Sequence, residues 1–95
     1  MKLEITPTFL ASAMLQELPV RRGVLRMVEV AGKLTMGELL RHQGVHLEKL
    51  ARLQAPDGSP LYSLRVTRSA RALATVHGET LTLRYVEPDH DKAYQ

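Results

Sequence analysis

The sequence is 95 residues long, is 44% hydrophobic and 24% charged, and contains no cysteine. This length predicts a single domain over residues 1–95, and the composition is that of a folded protein rather than a disordered or collagen-like chain. The lack of cysteine excludes disulfides, a thiolate nucleophile and a cysteine-bearing zinc site, and it favours a cytoplasmic location. No apolar run is long enough for a signal peptide or a membrane span, so no membrane partner is expected.

Basic charge is concentrated in the middle of the chain. The net charge is +3 and the pI is about 9.6. Residues 45–86 carry six basic and three acidic side chains, whereas residues 87–95 carry one basic and three acidic ones. Two interpretations of this distribution stay open: a surface that binds an acidic partner such as a nucleic acid, or an ordinary solvated surface.

The first elements are predicted to be a strand and a helix. Polar and apolar residues alternate over residues 2–6, which is typical of a short half-buried strand. Thr8 is then expected to cap a helix of about three turns, because Leu10, Met14 and Leu18 recur every four residues, with Phe9 and Ala13 beside them.

A second helix is predicted to begin at Pro19, which suits a first helical turn, and to end at Gly32. The very short connection between the two helices favours a helical hairpin. Thr35 and Glu38 have the spacing of a capping box and predict a short third helix. The apolar stripe of the second helix consists of Val20, Val24, Leu25, Met27, Val28 and Ala31.

The second half of the chain is predicted to be an antiparallel β-meander. Residues 45–50 alternate in polarity and suit either a strand or an extended loop, and a turn-rich loop follows at residues 54–60. Strands are predicted over residues 61–67, 71–77 and 81–86, with connections short enough for hairpins. The resulting fold class is α+β: an N-terminal strand, a helical hairpin and a meander, with the helices packed on one sheet face.

Four arginines belong to this hairpin system: Arg65, Arg68, Arg71 and Arg84. The planar guanidinium makes bidentate contacts with phosphate oxygens and stays charged at any relevant pH, so the cluster suits phosphate binding. The alternative is a solvated sheet face on which the arginine stems cover apolar surface.

The histidines do not have the spacing of a metal site, so we predict that no metal is bound. The polar C-terminal segment contains His90 and Tyr94 beside carboxylates. This segment suits either acid/base chemistry or a solvated terminus. The four histidines are His42, His46, His77 and His90.

Taken in order, these patterns resemble the RelE/ParE superfamily of bacterial toxins from toxin–antitoxin systems. The segments that carry the resemblance are residues 45–50, 61–66 and 85–94, together with the preceding strand and helical hairpin. It extends over nearly the whole chain and is greatest to the RelE-like members. The fold implied is the α+β arrangement predicted above.

The resemblance implies the toxin of a type II toxin–antitoxin system, expected to be a metal-independent, ribosome-dependent mRNA endonuclease that inhibits translation without a cofactor. The expected partners are a cognate antitoxin and mRNA on the ribosome. Two alternatives stay open: a ParE-like inhibitor of DNA gyrase, and a catalytically inert binding protein with the RelE fold.

Matching of motifs also implies roles for individual residues. Arg71 is expected to stabilise the scissile phosphate, Tyr94 to orient the nucleophile or stack on a base, and His90 to protonate the leaving oxygen. Glu48 is the expected general base. Further RNA or phosphate contacts are expected from Lys49, Arg65, Arg68 and Arg84.

The sequence departs from the RelE pattern at two positions. Leu61 and Ser63 stand where the best-known members carry two lysines on the strand before the hairpin. Because this loses two positive charges near the expected phosphate site, the departure favours altered or reduced catalysis and supports the inert alternative.

Overall fold

The computed structural model describes residues 1–89, so His90 and Tyr94 lie outside the described residues. Within that range the chain forms three helices and five strands. In chain order these are β1 (Lys2–Ile5), α1 (Pro7–Met14), α2 (Leu18–Lys33), α3 (Met36–Arg41), β2 (Glu48–Gln54), β3 (Pro60–Arg65), β4 (Arg71–His77) and β5 (Thr80–Glu87).

The strands form one sheet in the order β1-β5-β4-β3-β2. β2 to β5 pair with their sequence neighbours antiparallel, which confirms the predicted meander, and β1 adds to β5 in parallel. Gly78, with φ 60°, provides the left-handed turn residue between β4 and β5. The α+β class is therefore confirmed, with a mixed sheet whose edges are β1 and β2.

Helix α1 begins earlier than the sequence pattern predicted. The hydroxyl of Thr6, rather than that of Thr8, accepts the Phe9 N–H at 3.1 Å, and it also donates to the Leu83 carbonyl at 2.9 Å. Pro7 occupies the first helical turn, where its missing N–H costs nothing. The cap thus joins the start of α1 to β5, a contact that depends on the tertiary structure.

The buried face of α1 also differs from the prediction. Leu10 and Met14 are exposed, and Leu18 belongs to α2 and is exposed too. The face toward the sheet instead contains Phe9, Ser12 and Ala13. The Ser12 hydroxyl accepts the backbone N–H of Val86 at 2.9 Å, so a polar contact with β5 sets which side of the helix is buried.

The core lies between the helices and one face of the sheet. Leu64, Ala72 and Val86 form a row across β3, β4 and β5 and are fully buried. Met27 of α2 and Leu39 of α3 belong to the same cluster. The predicted position of the helices on one sheet face is confirmed.

The capping box that begins α3 is present as predicted. The Thr35 hydroxyl accepts the Glu38 N–H at 3.2 Å, and the Glu38 carboxylate accepts the Thr35 N–H at 2.9 Å. These hydrogen bonds lower the pKa of Glu38 below its ordinary value, because they favour the carboxylate.

Helix α2 approaches the end of β3 closely at Val66. The Arg26 Nη2 donates to the Val66 carbonyl at 2.9 Å, and a Cβ added to Gly23 would overlap that same carbonyl oxygen. Glycine at position 23 therefore permits the helix to reach its packing distance.

We expect Gly23→Ala to destabilise the protein by about 1–3 kcal/mol, because the added methyl displaces α2 from Val66. Gly32→Ala is the matched control, since its Cβ meets only Leu3 Cδ1 at 3.8 Å and alanine has the higher helix propensity. Urea unfolding of both variants measures the difference. An equal or higher unfolding free energy for Gly23→Ala would contradict this close packing.

Candidate functional site

The sheet face opposite the helices, here called the open face, carries the candidate site. Strand pairing places Glu48, Ser63, Leu73 and Tyr85 in one row across β2, β3, β4 and β5, because directly paired residues share a face. This row alternates with the buried row that contains Leu64. The Glu48 carboxylate and the Tyr85 phenol therefore lie at opposite ends of a row that crosses four strands.

A β-bulge brings Arg84 to this row. Leu73 pairs with Tyr85, but the next residue of β4, Ala74, pairs with Leu83, so Arg84 is the extra residue on β5. Its Nε donates to the hydroxyl of Thr75 at 3.2 Å. The predicted phosphate-binding residue Arg84 thus lies beside Tyr85 with its guanidinium anchored on β4.

Ser63 lies in the same row and is buried, with 1% of its surface exposed. Its hydroxyl has no hydrogen-bond partner among residues 1–89. A buried hydroxyl without a partner is uncommon in proteins.

Glu48 begins β2 and lies near a histidine. The His46 Nε2 is 3.5 Å from the Glu48 Oε2, and both side chains are about half exposed. His46 has φ 51°, the left-handed conformation, which a non-glycine residue rarely adopts. This pair is ionic only when the imidazole is protonated.

The other predicted RNA contacts are spread over different parts of the sheet. Arg65 and Arg68 are exposed at the end of β3 and in the turn after it. Ser63 on β3 pairs with Glu48 on β2, and Arg65 is two residues further along β3. Arg65 and Glu48 are therefore diagonal neighbours, and residues in that relation lie ~7–8 Å apart. Lys49 pairs with Tyr62, so it faces the side opposite Glu48.

Arg71 is the first residue of β4, next to the turn between β3 and β4, and is buried, with 5% of its surface exposed. Its Nη1 donates to the carbonyls of Thr67, Arg68 and Ala70 at 2.9, 3.2 and 3.0 Å. These contacts give Arg71 a structural role in the turn. The predicted contact of Arg71 with a scissile phosphate remains a prediction. It requires the guanidinium either to break some of these hydrogen bonds or to stabilise the phosphate without becoming exposed.

No family model matches the sequence, and no curated protein matches it. Solved structures do match. A chain of the archaeal RelE–RelB complex from Pyrococcus horikoshii OT3 is 13% identical, with a TM-score of 0.64 over 92% of each chain. A copper-bound mutant toxin from Helicobacter pylori is 12% identical, with a TM-score of 0.54 over 97% of each chain.

The chain has a RelE-like fold. At these identities the likeness concerns the fold, and the site has to be argued from the residues of this chain. Across residues 1–89 of this RelE-like domain, no cluster of three or more His, Asp or Glu side chains could hold a metal ion. No helix in the same range is long and apolar enough to cross a membrane.

A second surface of the RelE-like domain is an apolar groove between α1 and α2, here called the helical groove. It measures about 310 Å³. Leu25 is 69% exposed in it, although the sequence pattern predicted that Leu25 would be buried. The groove is lined by Leu10, Ala13, Met14, Leu18, Val24 and Leu25, with Arg21 and Arg22 at its rim.

Sequence reasoning missed three residues of the open face: His46, Ser63 as a site residue, and Tyr85. His46 has a left-handed backbone conformation, so the two-residue spacing of an extended segment does not predict its place beside Glu48. The position of Tyr85 depends on the bulge at Arg84, which has no clear signal in the sequence.

We expect Arg71→Ala to lower the free energy of unfolding by about 1.5–3 kcal/mol, because a buried charged donor to three carbonyls is lost. Arg68→Ala removes an exposed side chain from the same turn and should change it by less than about 0.5 kcal/mol. Thermal unfolding monitored by circular dichroism compares the two. Equal stability of both variants would show that the turn does not depend on Arg71.

Proposed function

We propose that this protein is the toxin of a type II toxin–antitoxin pair and that it cleaves mRNA on the ribosome in the cytoplasm. The observation that carries the proposal is the arrangement of charged residues on the open face. Glu48 pairs with Ser63 and is a diagonal neighbour of Arg65, and Arg84 lies near the other end of the row, beside Tyr85. A carboxylate close to positive charge suits phosphate-ester cleavage. The RelE-like fold supports the same assignment.

The proposed reaction uses the RNA as its own nucleophile. The 2′-hydroxyl attacks the adjacent phosphorus, the bond to the 5′-oxygen of the next nucleotide breaks, and the products are a 2′,3′-cyclic phosphate and a free 5′-hydroxyl. One proton leaves the 2′-oxygen and one is delivered to the 5′-oxygen, so no net proton is consumed. The protein has to align these atoms, move both protons and stabilise negative charge on the phosphoryl oxygens.

In this proposal Glu48 accepts the proton of the 2′-hydroxyl, because its carboxylate is half exposed at the edge of the row. Arg65 binds the phosphoryl oxygens from the neighbouring strand. His90 is the proposed acid and Tyr94 the proposed orienting residue, from the motif resemblance alone. Arg71 contributes by holding the turn that positions Arg65, its direct partner across β3 and β4.

Leu61 and Ser63 occupy the positions where the family pattern has lysines. Both positions fall on the open face, because Leu61 pairs with Thr75 and Ser63 with Leu73. The charge that two lysines would supply is missing at these positions, so Arg65 and Arg84 have to supply positive charge beside this row. We therefore propose a slower nuclease whose phosphate binding depends strongly on these two arginines.

The test is induced expression followed by mapping of mRNA 5′ ends. Glu48→Gln should reduce cleavage by about 10²–10⁴-fold through loss of the base, and Arg65→Ala by about 10²–10³-fold through loss of charge stabilisation. Lys33→Ala, an exposed residue at the end of α2, is the control and should cleave like the wild type.

Two outcomes would contradict the nuclease assignment. Intact mRNA together with inhibition of DNA supercoiling by the purified protein would favour a gyrase inhibitor. Normal growth and intact mRNA during expression of the wild type would favour an inert binding protein with this fold. Arg71→Ala is unsuitable as a catalytic test, because its effect on folding would lower activity by itself.

The helical groove supports a second part of the proposal: an antitoxin that binds through an amphipathic helix with acidic flanks. The groove offers exposed leucines, and Arg21 and Arg22 at its rim complement acidic side chains. Glu17 is the N-cap residue of α2, where its side chain makes no capping hydrogen bond, and it directly precedes Leu18 of the groove. A second copy of this chain fits less well, because the arginines of two such grooves would face each other.

We expect Leu25→Glu to weaken antitoxin binding by at least about 10-fold, because it places a charge in the apolar groove. Leu40→Glu is the matched control, since Leu40 is a similarly exposed leucine on α3 outside the groove. Calorimetric titration with the protein encoded by the adjacent reading frame measures both. Equal affinity of the two variants would exclude the groove, and loss of a self-associated dimer in Leu25→Glu would assign it to a second copy.

A further inference from the structure

Tyr85 is an exposed aromatic residue that neither the core nor the proposed chemistry uses. It is 43% exposed on the open face, whereas Phe9 is buried and Tyr62 packs against the core from the other side of the sheet. A large aromatic side chain held on a strand and open to solvent is a common feature of surfaces that bind single-stranded nucleic acid.

The neighbours of Tyr85 fit that use. Leu73 is its direct partner on β4 and is half-buried, so it extends the apolar surface beside the ring. Arg84 precedes it at the bulge, with its Nε held by Thr75. A nucleotide can be bound by an apolar surface for its base next to a cation for its phosphate. The Tyr85 ring provides the first and the Arg84 guanidinium the second.

The distance between Tyr85 and Glu48 separates this contact from the bond that is cleaved. The two residues stand at opposite ends of a row that spans three strand spacings, about 14 Å. A group at that distance is beyond hydrogen-bond reach of the reacting atoms when Glu48 acts as the base. At that distance Tyr85 is within reach of a nucleotide that flanks the cleaved bond, and not of the scissile phosphate.

We propose that Tyr85 is a stacking platform for a base of the RNA substrate that flanks the cleaved bond, and that Arg84 binds the phosphate of the same nucleotide. The inference rests on the proposed function in taking RNA as the substrate. Because every base has a π-face, such a platform strengthens binding more than it selects one base. Tyr85 is thus a positioning residue that acts on substrate binding.

The first test separates binding from chemistry on programmed ribosomes. Tyr85→Ala should raise KM by about 5- to 150-fold with little change in kcat, because stacking is lost while the acid and base remain. Tyr85→Phe should retain the KM of the wild type, since stacking needs the ring and not the hydroxyl. A fall in kcat alone, or equal KM values for Tyr85→Ala and the wild type, would overturn the inference.

The second test needs no cleavage. The chain has no tryptophan, so Tyr85→Trp introduces a single indole whose fluorescence reports contacts at this position. Titration with single-stranded hexanucleotides of adenine or of uracil should quench it. Leu25→Trp, which places the indole in the helical groove, is the matched control and should be unaffected. Absence of quenching, or equal quenching in both variants, would overturn the inference.

The two tests distinguish this inference from the proposed function. If the wild type cleaves mRNA and Tyr85→Ala cleaves equally well at equal KM, the stacking inference is wrong and the nuclease assignment stands. If the wild type does not cleave, the nuclease assignment is wrong, and the tryptophan titration alone decides whether Tyr85 stacks on a base. Quenching by an antitoxin but by neither hexanucleotide would assign Tyr85 to the protein partner and overturn the inference.

Discussion

The turn between β3 and β4 holds the register on which the open face depends. Val66 and Thr67 donate to the Ala70 carbonyl, the Thr67 hydroxyl accepts the Ala70 N–H, and Arg71 donates to three carbonyls of the turn. Arg26 of α2 donates to Val66 from the other side. Because a shift of one residue would exchange the two faces of a strand, this turn decides that Leu64 is buried and Ser63 lies in the candidate site.

Five arginines around the sheet divide into two groups with different roles. Arg26 and Arg71 use their guanidinium groups as donors to backbone carbonyls, so their charge supports the fold. Arg65 and Arg68 are exposed, and Arg84 donates from its Nε to the Thr75 hydroxyl, while its two Nη groups make no hydrogen bond within residues 1–89. A high pI therefore overstates the charge that a nucleic acid meets. Arg65 and Arg84, from the second group, contribute positive charge beside the row of Glu48.

The two candidate surfaces lie on opposite sides of the sheet, since the helices cover the face away from Glu48 and Tyr85. The helical groove is apolar with a basic rim, whereas the open face combines a carboxylate, arginines and an exposed phenol. Each surface suits a partner of different chemistry, an amphipathic acidic helix on one side and a phosphate backbone on the other. This separation allows the two partners to be tested with independent substitutions.

Local patterns in the sequence determine much of the fold. Alternation with a period of two predicts β3, β4 and β5 within about two residues at each end, because the pattern reflects the two faces of each strand. The capping box at Thr35 predicts the start of α3, because its hydrogen bonds join residues only three apart. The motif order was also sufficient to predict the RelE-like fold.

Contacts between distant residues determine the rest. Ser12 with Val86 selects the buried face of α1, the turn carbonyls bury Arg71, and the bulge at Arg84 places Tyr85 in the row of Glu48. None of these could be predicted from the sequence, because each depends on which residues of other elements become neighbours after packing. The sequence by itself determined most of the elements, their order and the supply of arginines. Only the tertiary structure decided which arginines are available to a ligand and which side chains share the open face, since strand register and helix orientation are set by long-range contacts.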